Sequence, residues 1–350
     1  MNKIILEDMN TLWQKSIVDW KQFNNSTVLI TGANGMLASY ITYMLIYLNE
    51  YCDINVNIIA LCRNEKKVTK RFGEYTEKDY FTVCFDDIMS PLCISKKIDY
   101  IIHAASLASS QYYGTNPVDV ILPNTVGNYN LLELAKKNNV KTYLFFSSGE
   151  IYGTLEKEVV MEDDSGYMNS MDIRNCYGES KRLGENMCKA YYQQYDIPTI
   201  IVRPTHTYGP TLDIEADQRV FSDFVSNIVE NKDIELKSDG TGVRSFCYIA
   251  DATLAFFLAL LNGTPGEAYN ISNTQGRISI KDLAEEMVLL YPDKDLKVIH
   301  SYQKSEYMEN SHKIHSTFAT DKIEAIGWTP TYTIPEGFKR TIDSFLLESN

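Results

Sequence analysis

The sequence predicts an α/β fold built on a doubly wound parallel sheet, and three observations carry that expectation. A β-branched run, TVLIT at 27–31, leads through a glycine turn into a segment with helical apolar spacing. Four further short apolar runs follow at 56–62, 80–85, 100–103 and 143–147, with helix-like stretches between them. Alternating strands and helices of this kind form parallel sheets whose crossovers cover both faces. The third observation is YGESK at 177–181, which opens a helix after the last of these runs.

Residues 1–24 set Ile5, Leu6, Met9, Leu12, Trp13, Ile17 and Trp20 at roughly helical spacing. This predicts an amphipathic helix, packed on its own domain or on a neighbouring subunit. After the strand at 27–31, Gly32 makes the tight turn, Gly35 leaves room for a pyrophosphate against the backbone, and Ala38 lets the helix pack closely on the strand. The helix N-terminus then faces the phosphates. A lone GxxGxxA is a weak signal, and its place at the head of the strand and helix series gives it weight.

At 350 residues the chain holds one large domain or two of medium size. A formal net charge of -13 argues against nucleic acid or an anionic membrane as the main partner. Any anionic ligand therefore needs local arginines that oppose the global field. Seven cysteines without a CxxC pair read as buried thiols in a reducing cytosol, with no metal site. With neither a signal-peptide-like run nor a long apolar stretch, a soluble cytoplasmic protein is expected.

The chemistry is carried by Ser148, Tyr177 and Lys181. Residues four apart share a helix face, so the Lys181 ammonium is expected under the Tyr177 phenol. A free phenol has a pKa of about 10, and a nearby cation favours the phenolate, which makes a general base for an alcohol. Ser148, at the end of the apolar run 143–146, is placed to hydrogen-bond the same alcohol and orient it.

With these elements in this order, the chain resembles the extended short-chain dehydrogenase/reductases, in the branch of nucleotide-sugar epimerases, dehydratases and decarboxylases. The resemblance spans about residues 26–328, and DDI at 86–88, HAAS at 103–106, NTVGNYNLL at 124–132 and RPTHTYGP at 203–210 extend it. It implies a Rossmann cofactor domain at 25–205 after the helix at 1–24, and a smaller C-terminal α/β lobe at 206–350 that mainly binds a nucleotide sugar. The chain is expected to cross between the lobes. NAD or NADP would be held by Gly32, Asn34, Gly35, Met36, Leu37, Arg63, Asp87, Ile88, Ala104, Ala105, Ser106, Asn124, Tyr177, Lys181 and Pro204. A homodimer is implied, through the helices at 128–138 and 177–195.

On the substrate side the resemblance implies Glu150 facing the sugar as a fourth catalytic residue, and Arg174 near a sugar carboxylate or hydroxyl. Tyr112 or Tyr113 of ASSQYYGTNP would touch the hexose, beside Gly149. Arg219 and Arg244 would clamp the diphosphate with guanidinium forks, and His206 would contact diphosphate or sugar. Two departures from the family pattern matter. Gly149 stands where decarboxylases commonly carry Ser and dehydratases Asp, which removes the dehydratase's general acid. Arg63, with Lys66, stands where NAD-selective relatives have an acid, which suits the 2′-phosphate of NADP.

The reaction implied is transient oxidation at carbon 4 of the sugar of an NDP-sugar, UDP-glucuronate being one candidate, followed by epimerisation or decarboxylation. An NADP-dependent keto-sugar reductase and a 4,6-dehydratase are the alternatives. A non-catalytic dinucleotide sensor is disfavoured, since a sensor has no use for a base.

Overall fold

The run that opens the sheet, Ser26–Thr31 (β1), is buried along its whole length. It alternates between two cores: Val28 and Ile30 face one, Leu29 the other. The same split recurs at Ile58, Ala60 and Cys62 against Ile59 and Leu61, and at Leu144 and Phe146 against Tyr143 and Phe145. A strand covered on both sides reads as a continuous apolar run, because both of its faces are inside.

The computed structural model describes residues 1–217, 219–301 and 317–348. Before the sheet stands α1 (Lys3–Gln14), and β1 is followed by α2 (Met36–Tyr51), β2 (Val56–Cys62), α3 (Glu65–Phe72) and β3 (Phe81–Phe85). Next come β4 (Tyr100–His103), α4 (Gln111–Thr115), α5 (Pro117–Leu122), α6 (Asn128–Asn138), β5 (Thr142–Phe146), β6 (Val159–Val160), α7 (Cys176–Tyr195) and β7 (Thr199–Pro204). The chain continues through β8 (His206–Tyr208), α8 (Val220–Val229), β9 (Ile234–Leu236), β10 (Val243–Tyr248), α9 (Ile249–Asn262) and β11 (Glu267–Ile271). Last are β12 (Arg277–Ser279), α10 (Ile280–Leu289), β13 (Val298–His300), β14 (Thr317–Phe318), α11 (Asp321–Glu324) and α12 (Ile334–Glu348).

Seven parallel strands make the main sheet in the order β11-β7-β5-β4-β1-β2-β3. The connection reverses between β1 and β4, which opens a crevice at their carboxyl ends, where such sheets bind ligands. Beyond β7 the chain builds a three-stranded sheet, β12-β10-β8, and returns to the main sheet as β11. Two short parallel pairs, β13 with β9 and β14 with β6, complete the strands described.

The N-terminal segment departs from the single helix its spacing predicts. α1 ends at Gln14, Lys15 is extended, and Trp20–Phe23 forms a separate 3-10 turn. The break lets the rings of Trp20 and Phe23 reach Phe257 of α9, at centroid distances of 4.9 and 5.6 Å, which a straight helix would carry past it. α1 itself is fastened by a buried carboxylate. Asp8 accepts hydrogen bonds from the hydroxyls of Tyr40 (2.5 Å), Tyr248 (2.6 Å) and Tyr332 (3.3 Å) and from Nε of Arg340 (2.9 Å). Burial pushes its pKa up, while the Arg340 charge and the phenol hydrogen bonds oppose that rise. Removing one partner of a buried pair leaves the other charge uncompensated. Asp8→Ala should therefore cost about 3 kcal/mol or more of unfolding free energy in urea titrations, and a loss below about 1 kcal/mol would show that the clamp is dispensable.

Candidate active site

The site is assembled where β1, β4 and β5 end. Gly32 adopts φ +64°, and a Cβ there would lie 2.9 Å from Cα of Ala105, so only glycine fits this turn. Gly35 caps α2 without a side-chain hydrogen bond, leaving the helix N-terminus facing outward. His103 at the end of β4 fixes the neighbouring loop. Ala105 N donates to Thr31 Oγ1 (3.2 Å), Thr31 pairs with His103 Nδ1 (2.9 Å), and His103 Nε2 pairs with the Pro123 carbonyl (3.1 Å). Burial holds His103 neutral by lowering its pKa to about 3, so the ring acts as a relay of fixed polarity.

A cavity of about 1520 Å³ runs along this edge. Its wall includes Gly32, Asn34, Gly35, Met36, Arg63, Asp87, Ile88, Ala104, Ala105 and Ser106 of the expected cofactor set, and Arg219 of the substrate set. Lys66 is not in the wall, whereas Lys67 and Lys70, one turn apart on α3, are. Leu37 is half-buried beside Met36, and Pro204 closes β7. Asn124 is fully buried: its amide donates to the Val120 carbonyl (2.9 Å) and to Ser180 Oγ of α7 (3.0 Å).

Ser148, Tyr177 and Lys181 stand at the end of β5, outside the cavity's wall. Ser148 Oγ accepts from the Glu150 amide (3.2 Å) and so caps the 3-10 turn Gly149–Tyr152. Tyr177 lies in the first turn of α7, and Lys181 reaches back to donate from Nζ to the Phe146 carbonyl at 2.5 Å. The sequence expectation for the phenol is reversed here. Burial pushes Tyr177 up to about 12, opposed first by its hydrogen bond with Ser148 and then, after a raising effect from Glu150, by Arg219. Lys181 Nζ lies 5.6 Å from the ring centroid and is committed to a carbonyl, so it does not draw the phenol down. Lys181 itself is lowered to about 7 by burial, against the charge of Glu185.

The expected substrate residues divide. Burial, and after it the charges of Arg244 and Arg219, lower His206 to about 4, so the ring is neutral and the positive charge beside it is carried by the two guanidiniums. Arg219 is also paired with Asp217 (2.5 Å), and Arg244 donates to the Val243 carbonyl. Glu150 and Arg174 are exposed, and Tyr112 is half-buried. Tyr113 is not placed to touch a hexose: it is 3% exposed and its hydroxyl donates to the Ala108 carbonyl (3.0 Å). Gly149 faces Phe318, whose ring would lie 3.2 Å from a Cβ there.

Sequence reasoning missed Arg203. Its guanidinium binds Glu185 of α7 through two bonds (2.9 and 2.6 Å) and donates to the Tyr152 hydroxyl (2.8 Å) and the Glu162 carbonyl (2.7 Å). An arginine inside an otherwise apolar strand was the available signal, since such a charge must find partners.

The sequence model of the NAD dependent epimerase/dehydratase family matches residues 28–272. The chain belongs to that family. Among its relatives, UDP-glucuronic acid decarboxylase 6 of Arabidopsis thaliana is 29% identical over 325 residues, covering 93% of this chain and 90% of the relative. The dTDP-D-glucose 4,6-dehydratase of Bos taurus is 28% identical, covering 90% and 87%. The UDP-glucuronic acid 4-epimerase of Bacillus cereus, solved with UDP-glucuronic acid and NAD, superposes with a TM-score of 0.75 at 20% identity, covering 92% of this chain and 99% of the other. That likeness shows a shared fold.

The site of this epimerase/dehydratase family member fits NAD on its own evidence. The Gly32 turn leaves open backbone at the N-terminus of α2, and the Ser106 hydroxyl is buried at the cavity wall without a partner among the described residues. Among the described residues no helix is long and apolar enough to cross a membrane.

Native Lys181 releases its proton near pH 7, whereas the unfolded lysine holds it to about 10.5, so between these values the unfolded chain binds the extra proton. Its destabilising effect is full below about pH 7 and fades as pH rises toward 10.5. Wild type should gain stability relative to Lys181→Met across that window in denaturant titrations. A difference that stays flat with pH would refute the lowered pKa.

Proposed function

We propose that this enzyme transiently oxidises the carbon-4 hydroxyl of the sugar of a nucleotide sugar and resolves the keto intermediate by an epimerase- or decarboxylase-type step. The observation that carries the reading is the placement of Ser148, capping the turn after β5, beside Tyr177 in the first turn of α7, where Ser148 favours the phenolate against burial. Tyr177 accepts the hydroxyl proton while Ser148 directs the hydroxyl. NAD, held by the residues of the cavity wall, would supply the hydride acceptor for the carbon–hydrogen bond that breaks as the carbonyl forms. The phenol is then the acid that returns a proton to oxygen when hydride comes back. Arg219 and Arg244, beside the neutral ring of His206, supply the positive charge that a diphosphate requires in a chain of net charge -13.

UDP-glucuronate is the candidate substrate, supported by the decarboxylase relative. Elimination ranks lower: position 149 has no side chain, and the Phe318 ring packs against it. A second reading, an NADP-dependent keto-sugar reductase, is favoured by Arg63, Lys67 and Lys70 on the cavity wall. We take 25–205 as the cofactor domain and 206–350 as mainly the substrate lobe, and a cytoplasmic homodimer through α6 and α7, on which Tyr129 and Leu183 are exposed.

Tyr177→Phe should lower turnover about a hundredfold or more while calorimetry shows unchanged NAD binding; retention of more than about a tenth of the rate would remove Tyr177 as the base. Turnover of UDP-glucuronate without added cofactor separates the main reading from the reductase, which consumes NADPH stoichiometrically. Carbon dioxide release against recovery of UDP-galacturonate then assigns the branch. Arg63→Ala should weaken NADP more than NAD if its charge meets a 2′-phosphate; equal weakening of both would reject that contact.

A further inference from the structure

The ring of Tyr113 lies on the ring of Tyr177 with centroids 5.3 Å apart and planes 13° from parallel. The guanidinium of Arg174 sits over the same Tyr113 ring, 4.8 Å from its centroid. Three groups from different segments thus form one column: Arg174 just before α7, Tyr113 on α4, and Tyr177 in the first turn of α7. Both rings are buried, at 3% and 6% exposure, in a small cluster with Val120 and Cys176. The Tyr113 hydroxyl is committed to the Ala108 carbonyl, and its own carbonyl faces Cys176 Sγ at 3.8 Å. Tyr113 therefore has no polar atom free for chemistry and presents only a face.

We propose that Tyr113 is a positioning residue for the Tyr177 base, pinned by the Arg174 cation, so that Arg174 acts on the reaction through Tyr113. The proposal rests on Tyr177 being the base. A phenol in a first helical turn has two rotatable side-chain bonds, and its hydroxyl must meet Ser148 on one side and the reacting hydroxyl on the other. An offset ring at stacking distance removes the freedom to tilt away, at no cost in charge next to the phenol. The Arg174 cation is attracted to the Tyr113 π-system and holds α4 against the start of α7. The charged and titratable groups around the phenol are Ser148, Glu150, Arg219 and Lys181. The column adds Tyr113, whose ring stacks on the phenol while its hydroxyl is held by the Ala108 carbonyl.

The variants that separate these roles are Tyr113→Phe, Tyr113→Leu, Arg174→Ala and the double variant Tyr113→Leu with Arg174→Ala. Full-length protein labelled with 3-fluorotyrosine gives a readout independent of turnover, with the Tyr177 resonance identified by its loss in Tyr177→Phe. Tyr113→Phe should keep that resonance and its titration midpoint. Tyr113→Leu should split or broaden it and move the midpoint, with NAD binding and melting temperature serving to confirm that the protein is folded. In turnover of UDP-glucuronate or UDP-glucose, Tyr113→Leu should lower kcat by about tenfold or more with KM little changed, as expected when a reacting group is misplaced, and Tyr113→Phe should restore most of it. Arg174→Ala should lower kcat less, and add nothing in the Tyr113→Leu background.

An unchanged Tyr177 resonance in folded Tyr113→Leu overturns the proposal. So does an Arg174→Ala defect that appears in KM and adds fully to that of Tyr113→Leu, which would mean that Arg174 binds substrate directly. If Tyr177→Phe itself leaves turnover intact, the base assignment falls, whatever the fluorine spectra show.

Discussion

The site hangs on one guanidinium. Arg203 leaves β7 and holds Glu185 of α7 in a two-bond grip, the Tyr152 hydroxyl at the end of the Ser148 turn, and the Glu162 carbonyl. Tyr152 passes the connection to Asn270 of β11 (2.6 Å), whose amide donates to the Glu162 carboxylate (2.9 Å). The helix that carries Tyr177 and Lys181, the turn that carries Ser148, and the edge strand of the sheet are thereby tied to one charge. Their mutual distances follow from it. The pair is nearly buried, at 9% and 14% side-chain exposure, so losing either partner leaves a charge with poor solvation inside the wall of the site.

Desolvation then sets the chemistry of the two groups on that helix. The same burial that pushes Tyr177 up pulls Lys181 down, because each is penalised in its charged form. The base and its neighbouring ammonium are therefore not an ion pair built into the protein. Among the groups around the phenol, Arg219 favours the phenolate.

The strands were legible because burial on both faces writes an unbroken apolar run, and five of the seven main strands lie within a residue or so of where such runs predict them. The glycine turn was legible because steric limits at Gly32 admit one residue type. Three features were not. Whether Tyr112 or Tyr113 faces a ligand depends on the direction of a short helix, α4, which spacing leaves open. The choice of Lys67 and Lys70 over Lys66 depends on how α3 is rotated about its axis. The influence of Lys181 on Tyr177 depends on where a long flexible side chain ends, and here a carbonyl of β5 captures it. In each case the sequence names the right neighbourhood, while orientation is decided by tertiary packing.

The Asp8 clamp bears on how the molecule comes to be folded. Its donors stand 32, 240, 324 and 332 residues along the chain from the carboxylate they share. Contacts that span such distances close very long loops, whose entropy must be lost before any bond forms, and they slow the steps that depend on them. Tyr40 alone can meet Asp8 early during synthesis. Tyr248 follows only after most of the main sheet is made, and Tyr332 and then Arg340 of α12 come later still, so α1, synthesised before the sheet it covers, spends most of translation without its full set of partners, and the clamp closes only when residues from the far end of the chain reach it.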